Sequence, residues 1–289
     1  MALGIDAGRA VPEAGLNPPG LDLLLFSTCT DTIRRAVDGG VAGVIIDWEH
    51  HGKWQRQRGA DTQINTDTPE DLRRVRACTE SRLLCRINGY SDGTPLEVAE
   101  AIAGGADEIL LPMVRRIEEV EGVLRLAGGR CRVGILLETV AAVGIACQLS
   151  QLPLSRIYVG LNDLAIERGT PCIFEAVLDG TVERMREAIT RVPFGFGGLT
   201  LPERGYPIPC RLLLAEMVRL DCSFTFLRRS FMRDTLGQDL VEAVRRIREA
   251  IAMARSRPLS TLAEDHGQLM EHVRQNLRWT RAHATCATT

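Results

Sequence analysis

Two carboxylates, Glu138 and Asp163, each follow a short apolar run of strand type. Glu138 closes Val133–Leu137 in the stretch G-I-L-L-E-T, and Asp163 sits just past Ile157–Val159 in R-I-Y-V-G-L-N-D-L. The Ala- and Val-rich segment between them, Val140–Leu149, reads as a helix. Such a strand–helix–strand unit puts one acid at the C-terminal mouth of each strand, and in a parallel α/β sheet those mouths are neighbours on one face. Two hard oxygen ligands there, with room for water and a chelating substrate, suit Mg²⁺ or Mn²⁺, with Co²⁺ as a further option. Each acid also has a plainer reading, as a cap of the helix that follows it.

Other strand ends carry polar residues in the same position. The second strand ends in Asp47-Trp48-Glu49-His50-His51, the third in Arg86-Ile87-Asn88, the fourth in Pro112-Met113 and the sixth in Gly160-Leu161-Asn162-Asp163-Leu164. Arg86 offers a planar fork for a substrate carboxylate, or else a surface ion pair. His50 changes charge near neutral pH and is the candidate acid/base, with Asp47 placed to orient its second ring nitrogen. Glu49 and Asn162 complete the substrate-binding candidates, with turn capping as the alternative for Glu49. A metal between an arginine and a histidine suits a 2-keto acid, whose enolate forms when a C–C bond is made or broken. His51 is expected to be solvated, and His266, His272 and His283 to lie on the surface.

The elements that must hold these residues alternate along the chain. Strand-type runs are Leu21–Ser27, Val41–Asp47, Arg82–Asn88, Glu108–Leu111, Val133–Leu137, Ile157–Val159, Phe196–Leu201 and Ser223–Leu227. Helices are expected over Asp31–Val37 (capped by Thr30 or Asp31), after Thr68-Pro69-Glu70-Asp71, after Thr94-Pro95, over Ile117–Ala127, Val140–Leu149, Thr181–Thr190, Pro209–Leu220 and Asp239–Ala254. Eight strand–helix units in about 240 residues favour a closed (β/α)8 TIM barrel, an α/β fold, over an open doubly wound sheet. Residues 1–20 read as an N-terminal arm, 21–258 as the barrel and 259–289 as an appended helical extension. Leu262, Leu269, Met270, Val273, Leu277 and Trp279 form an apolar stripe on that extension. It suits docking on a neighbouring subunit, with packing on its own barrel as the alternative. The loop from Trp48 to Thr68 is long for a compact domain, a length usual for functional or disordered segments.

Composition removes several classes. A net charge of −2 gives no support for nucleic acid. No apolar run is long enough to span a bilayer. Met1–Pro19 carries Asp6 and Glu13 and no long apolar core, so no signal peptide is expected. Nine scattered cysteines without a C-x-x-C pair fit reduced, cytoplasmic thiols. No G-x-G-x-x-G follows a strand, which removes the usual dinucleotide signature. Lys53 is the only lysine and lies in a polar loop, against a Schiff-base aldolase.

The ordered motifs D-W-E-H-H, R-I-N, G-A-D-E-I-L-L-P-M-V, L-L-E-T and V-G-L-N-D-L resemble the HpcH/HpaI aldolase and citrate lyase family, from about residue 21 to 255. The resemblance implies a phosphoenolpyruvate/pyruvate-type barrel and a divalent-metal-dependent lyase or aldolase acting on a 2-keto acid of the pyruvate or oxaloacetate type. It implies metal binding by Glu138 and Asp163, carboxylate binding by Arg86, and acid/base work by His50 with Asp47. It also implies a homo-oligomer, a trimer or hexamer that exchanges its C-terminal helix. This chain departs from the family's bacterial pyruvate aldolases at three points. Leu136 stands where they carry glutamine, Gly128-Gly129-Arg130-Cys131 replaces a long insertion, and Arg228-Arg229-Ser230-Phe231-Met232-Arg233 follows the eighth strand in place of Gly-x-Asp. Arg228, Arg229 and Arg233 are therefore candidates for an extra carboxylate or phosphate, or else a surface basic cluster. The alternatives are a CoA-thioester lyase of the citryl or malyl type and a non-catalytic barrel.

Overall fold

The computed structural model describes residues 20–50 and 66–286, with side chains to residue 280. The arm, most of the loop after Trp48 (with His51 and Lys53) and the side chain of His283 lie outside the described residues.

Eight strands form one all-parallel sheet: β1 (Asp22–Phe26), β2 (Gly43–Asp47), β3 (Arg82–Arg86), β4 (Glu108–Leu111), β5 (Arg132–Leu137), β6 (Arg156–Val159), β7 (Phe194–Phe196) and β8 (Phe224–Leu227). Their order is β7-β6-β5-β4-β3-β2-β1-β8, which curls the sheet into a barrel. The β7–β8 seam is closed by Ser223 N–H donating to the Phe194 carbonyl at 2.9 Å and by a parallel bridge between Leu199 and Leu227. Gly195 makes this approach possible, because a Cβ there would fall 2.2 Å from the Phe224 carbonyl oxygen. The seventh strand thus lies earlier than the expected Phe196–Leu201. Gly197, at φ 64°, ends the extended run at Phe196.

Helices alternate with the strands: α1 (Thr30–Asp38), α2 (Pro69–Cys78), α3 (Thr94–Ala103), α4 (Ile117–Ala127), α5 (Val140–Gly144) and α6 (Ala146–Leu149), then α7 (Leu161–Arg168), α8 (Glu175–Leu178), α9 (Thr181–Ala188), α10 (Cys210–Arg219), α11 (Ser230–Asp234), α12 (Leu240–Arg255) and α13 (Leu259–Cys286). The expected cap of α2 is present as a reciprocal box. Thr68 Oγ1 accepts from Asp71 N–H at 3.3 Å, and Asp71 Oδ2 accepts from Thr68 N–H at 2.8 Å. Two other caps differ. Cys29 occupies the cap of α1, and Gly93 that of α3, where the Thr94 hydroxyl accepts from Ser91 N–H. The single helix expected over Val140–Leu149 is broken at Ile145 into α5 and α6.

Strand alternation splits the core into two layers. Val44 and Ile46 face the helices, while Ile45 joins Leu24, Leu84, Leu110, Leu136, Tyr158, Phe224 and Phe226 inside the barrel. The inner floor is polar. Arg156 donates from Nε to Glu108 Oε1 at 2.6 Å and from Nη2 to Oε2 at 2.8 Å, both residues being buried. The Arg156 guanidinium also lies 4.7 Å from the Phe224 ring centroid. Gly134 leaves room for the pair, since a Cβ there would meet Arg156 Cγ at 2.7 Å.

The C-terminal helix α13 packs on α10 and α8 of its own chain. It buries Leu262, Leu269, Met270, Val273 and Leu277 there, each worth about 1.5–3 kcal/mol on full burial. Trp279, the last residue of the expected stripe, is 56% exposed. His266, expected on the surface, is instead half-buried, with Nδ1 2.9 Å from Glu216 Oε2 on α10. No helix of the described residues is long and apolar enough to cross a membrane.

Candidate active site

The C-terminal ends of the strands surround a cavity of about 410 Å³. Asp47, Arg86, Glu138, Tyr158, Gly160, Asn162 and Asp163 line one side, and Gly197, Gly198, Arg228, Arg229 and Met232 line the other. Phe26, Tyr158 and Phe226 form its aromatic base, with Tyr158 stacked on Phe226 at 3.8 Å and Phe26 edge-on to Phe226 at 5.3 Å.

The register that places Asp47 beside Arg86 comes from the β2–β3 ladder. Arg86 donates from Nε to Asp47 Oδ1 at 2.8 Å and from Nη2 to Asp47 Oδ2 at 2.7 Å. Its Nη1 lies 3.3 Å from Glu49 Oε2, and its guanidinium sits 5.0 Å from the Phe26 ring centroid. Burial pulls the Arg86 pKa down, but the charges of Asp47 and Glu49 outweigh it and hold the group more firmly protonated than usual. A surface ion pair is therefore not the role of Arg86. It is an interior fork whose side chain lines the cavity. Asp67, which the sequence reading does not single out, supports Asp47 from below by accepting its N–H at 2.9 Å. Burial, then its proximity to Asp47, raises the Asp67 pKa despite that hydrogen bond.

Glu138 ends β5 almost fully buried, and Asp163 lies in the first turn of α7. Helix capping does not explain them. Thr139 caps α5, accepting from Ala142 N–H at 3.0 Å, and Gly160 caps α7 without a side-chain bond. Glu138 Oε1 instead accepts from Met113 N–H at 2.9 Å, and Met113 is held at φ 55°, a strained value for a non-glycine residue. Gly160 gives the Glu138 carboxylate its space, since a Cβ there would fall 2.4 Å from Oε2. Burial, reinforced by Asp163 and Glu49, pushes the Glu138 pKa up to about 8, with Arg86 and the Met113 N–H opposing.

His50 stands at the rim, exposed, and outside the residues that line the cavity. Its backbone N–H donates to Asn88 Oδ1 at 3.0 Å, and Asn88 is held in turn by Glu97 at 2.7 and 2.9 Å. Its Nδ1 lies 2.7 Å from the Trp48 carbonyl, the contact that assigns the proton to Nδ1 and leaves Nε2 as the basic nitrogen. The partner expected at Nδ1 was Asp47. Both oxygens of Asp47 are directed at Arg86, so the backbone takes that place. Of the three arginines after β8, Arg228 and Arg229 line the cavity. Arg233 is exposed, with Nε 3.6 Å from Asp234.

The donor set fits a small hard cation. Four acids, Asp47, Glu49, Glu138 and Asp163, gather around one paired guanidinium, and the mutual repulsion of three of them is written in the raised Glu138 pKa. Among the described residues no cluster of three or more His, Cys, Asp or Glu side chains is arranged as a metal cage. Carboxylate oxygens are the donor type that Mg²⁺ takes, with its other positions filled by water or substrate.

No family model and no curated protein matches the sequence. Solved structures do match. The citrate synthase SbnG is similar at a TM-score of 0.56 with 19% identity, over 76% of this chain and 92% of that one. RipC from Yersinia pestis is similar at 0.54 with 13% identity, over 85% of this chain and 100% of that one. An HpcH/HpaI aldolase/citrate lyase family protein from Burkholderia cenocepacia J2315 is similar at 0.56 with 14% identity, over 82% of this chain and 96% of that one. At these identities the likeness is one of fold: this chain builds the (β/α)8 barrel found in proteins of the family that its strand-end motifs resemble.

Proposed function

We propose that this chain is a divalent-metal-dependent carbon–carbon lyase or aldolase acting on a 2-keto acid of the pyruvate or oxaloacetate type. The observation that carries the reading is that Glu138 and Asp163 line the same cavity as Arg86, near enough for the Asp163 charge to raise the Glu138 pKa. Glu138 and Asp163 would hold Mg²⁺ or Mn²⁺, which when bound supplies Lewis-acid polarisation of the keto acid's oxygens. Arg86, fixed by Asp47 and Glu49, presents its guanidinium to the oxygen on which negative charge grows during C–C cleavage, with no reorganisation needed at that moment. The aromatic base of Phe26, Tyr158 and Phe226 keeps water from beneath that oxygen. His50 carries the proton through Nε2 by way of water. It takes the proton from the hydroxyl of the adduct as the C–C bond breaks and returns it, again by way of water, to C3 of the enolate.

Retro-aldol cleavage or oxaloacetate decarboxylation is the assay. The expected result is activity that vanishes with chelator, returns with Mg²⁺ or Mn²⁺, and falls by at least about 100-fold in Glu138→Gln and Asp163→Asn. Wild-type rates in either variant sink the metal assignment.

A further inference from the structure

Two of the three arginines lining the cavity are in opposite states. Arg86 is matched by two carboxylates. Arg228, just past β8, has no hydrogen bond or ion pair from its guanidinium among the described residues, and its Nε is buried without a partner. The nearest acid, Asp234, is occupied elsewhere. It accepts from Thr200 Oγ1 at 2.6 Å and lies 3.6 Å from Arg233. Burial pulls the Arg228 pKa down, and Cys210 and Asp234 offset this only in part. An arginine stays charged even so, and a half-buried guanidinium without an anion is unfavourable until a ligand supplies one.

The surroundings are built for this side chain. Gly198 lies against it, where a Cβ would meet Arg228 Cβ at 3.1 Å, and a Cβ on Gly205 would meet its Nη2 at 2.9 Å. The unmatched group is a cationic donor, so the missing group is an acceptor with negative charge. A single planar fork matches the two oxygens of a carboxylate. In the strand order β8 lies next to β1, three strands round the ring from β5, so this donor faces Glu138 across the cavity.

We infer that Arg228 forms a subsite for a second carboxylate, so that the substrate is a 2-keto diacid or an aldol adduct carrying a further carboxylate remote from the chelating end. This rests on the reading above in one respect, that the other end of the ligand is a 2-keto acid.

The test is calorimetric binding to the full chain with saturating Mg²⁺, using two pairs of equal length: 2-oxoglutarate against 2-oxopentanoate, and oxaloacetate against 2-oxobutanoate. In at least one pair the diacid is expected to bind about tenfold or more tightly than the monoacid. Arg228→Gln is expected to bring that ratio to about one, and Arg228→Lys to restore part of it. Arg233→Gln, outside the cavity, controls for general charge and is expected to keep the ratio. Equal affinities within both wild-type pairs overturn the subsite and leave the keto-acid reading standing. A ratio that falls equally in Arg233→Gln also overturns the subsite. Inorganic phosphate binding more tightly than either diacid, and lost in Arg228→Gln, replaces the carboxylate with a phosphate and overturns the inference as stated. Failure of all four keto acids to bind removes the keto-acid reading itself, and the subsite with it. Thermal melts of each variant confirm that it is folded.

Discussion

Glu138 makes the electrostatics of the cavity measurable without knowledge of the substrate. Its ordinary pKa is 4.5, and burial together with Asp163 and Glu49 raises it to about 8 in the folded chain. Between those values the folded state holds a proton that the unfolded state has released. Stability therefore falls as pH rises from about 4.5 to about 8 and is flat, as far as this group is concerned, on either side. At about 1.4 kcal/mol per pH unit, the full effect is on the order of 5 kcal/mol. Glu138→Gln removes it, because glutamine retains an oxygen for the Met113 N–H and carries no charge. The assay is urea unfolding of wild type and Glu138→Gln in chelator at pH 5 to 9. Other titrating groups largely cancel in the difference between the two proteins. Wild type is expected to lose about 3–5 kcal/mol relative to the variant across that range, and saturating Mg²⁺ is expected to abolish most of the loss. A difference that stays within about 0.5 kcal/mol throughout refutes the description of Glu138 as a buried acid opposed by its neighbours.

Two further substitutions test the surrounding geometry. Arg86→Met leaves Asp47 and Glu49 buried without their counter-charge and is expected to destabilise by about 3–5 kcal/mol in urea unfolding; a loss below about 1 kcal/mol contradicts the interior ion pair. Gly160→Ala suits the backbone, at φ −82°, yet puts a methyl group 2.4 Å from Glu138 Oε2. It is expected to displace that carboxylate, lowering kcat/KM by about 100-fold or more and weakening Mg²⁺ binding in calorimetry, and near-wild-type values for both count against the placement of Glu138.

The barrel was legible because its strands announce themselves locally. Val41–Asp47 and Val133–Leu137 are apolar runs without alternation, as strands covered on both faces must be, and Thr68-Pro69-Glu70-Asp71 carries its helix start in four letters. The polar strand ends followed from the parallel architecture, and the structure brings Asp47, Arg86, Glu138, Asn162 and Asp163 to one cavity. What stayed hidden depends on pairings across the sheet. The commitment of Arg86 to Asp47 and Glu49 needs the β2–β3 register, and the bracing of Asn88 by Glu97 needs α3 to return over β3. Asp67 could have been found only as the acid adjacent to the cap of α2, a position that usually means nothing more than a helix start. The seventh strand was misplaced because Gly195 is dictated by the neighbouring backbone rather than by any property of its own segment.

The buried pair of Glu108 and Arg156 has a corollary for access. It stoppers the lower end of the barrel, with Leu24, Ile45, Leu84 and Leu110 stacked inside, so the barrel is a cup and not a tunnel. For a lyase of the kind proposed, both reactants would enter and leave through the same open end of the barrel, above the strand ends.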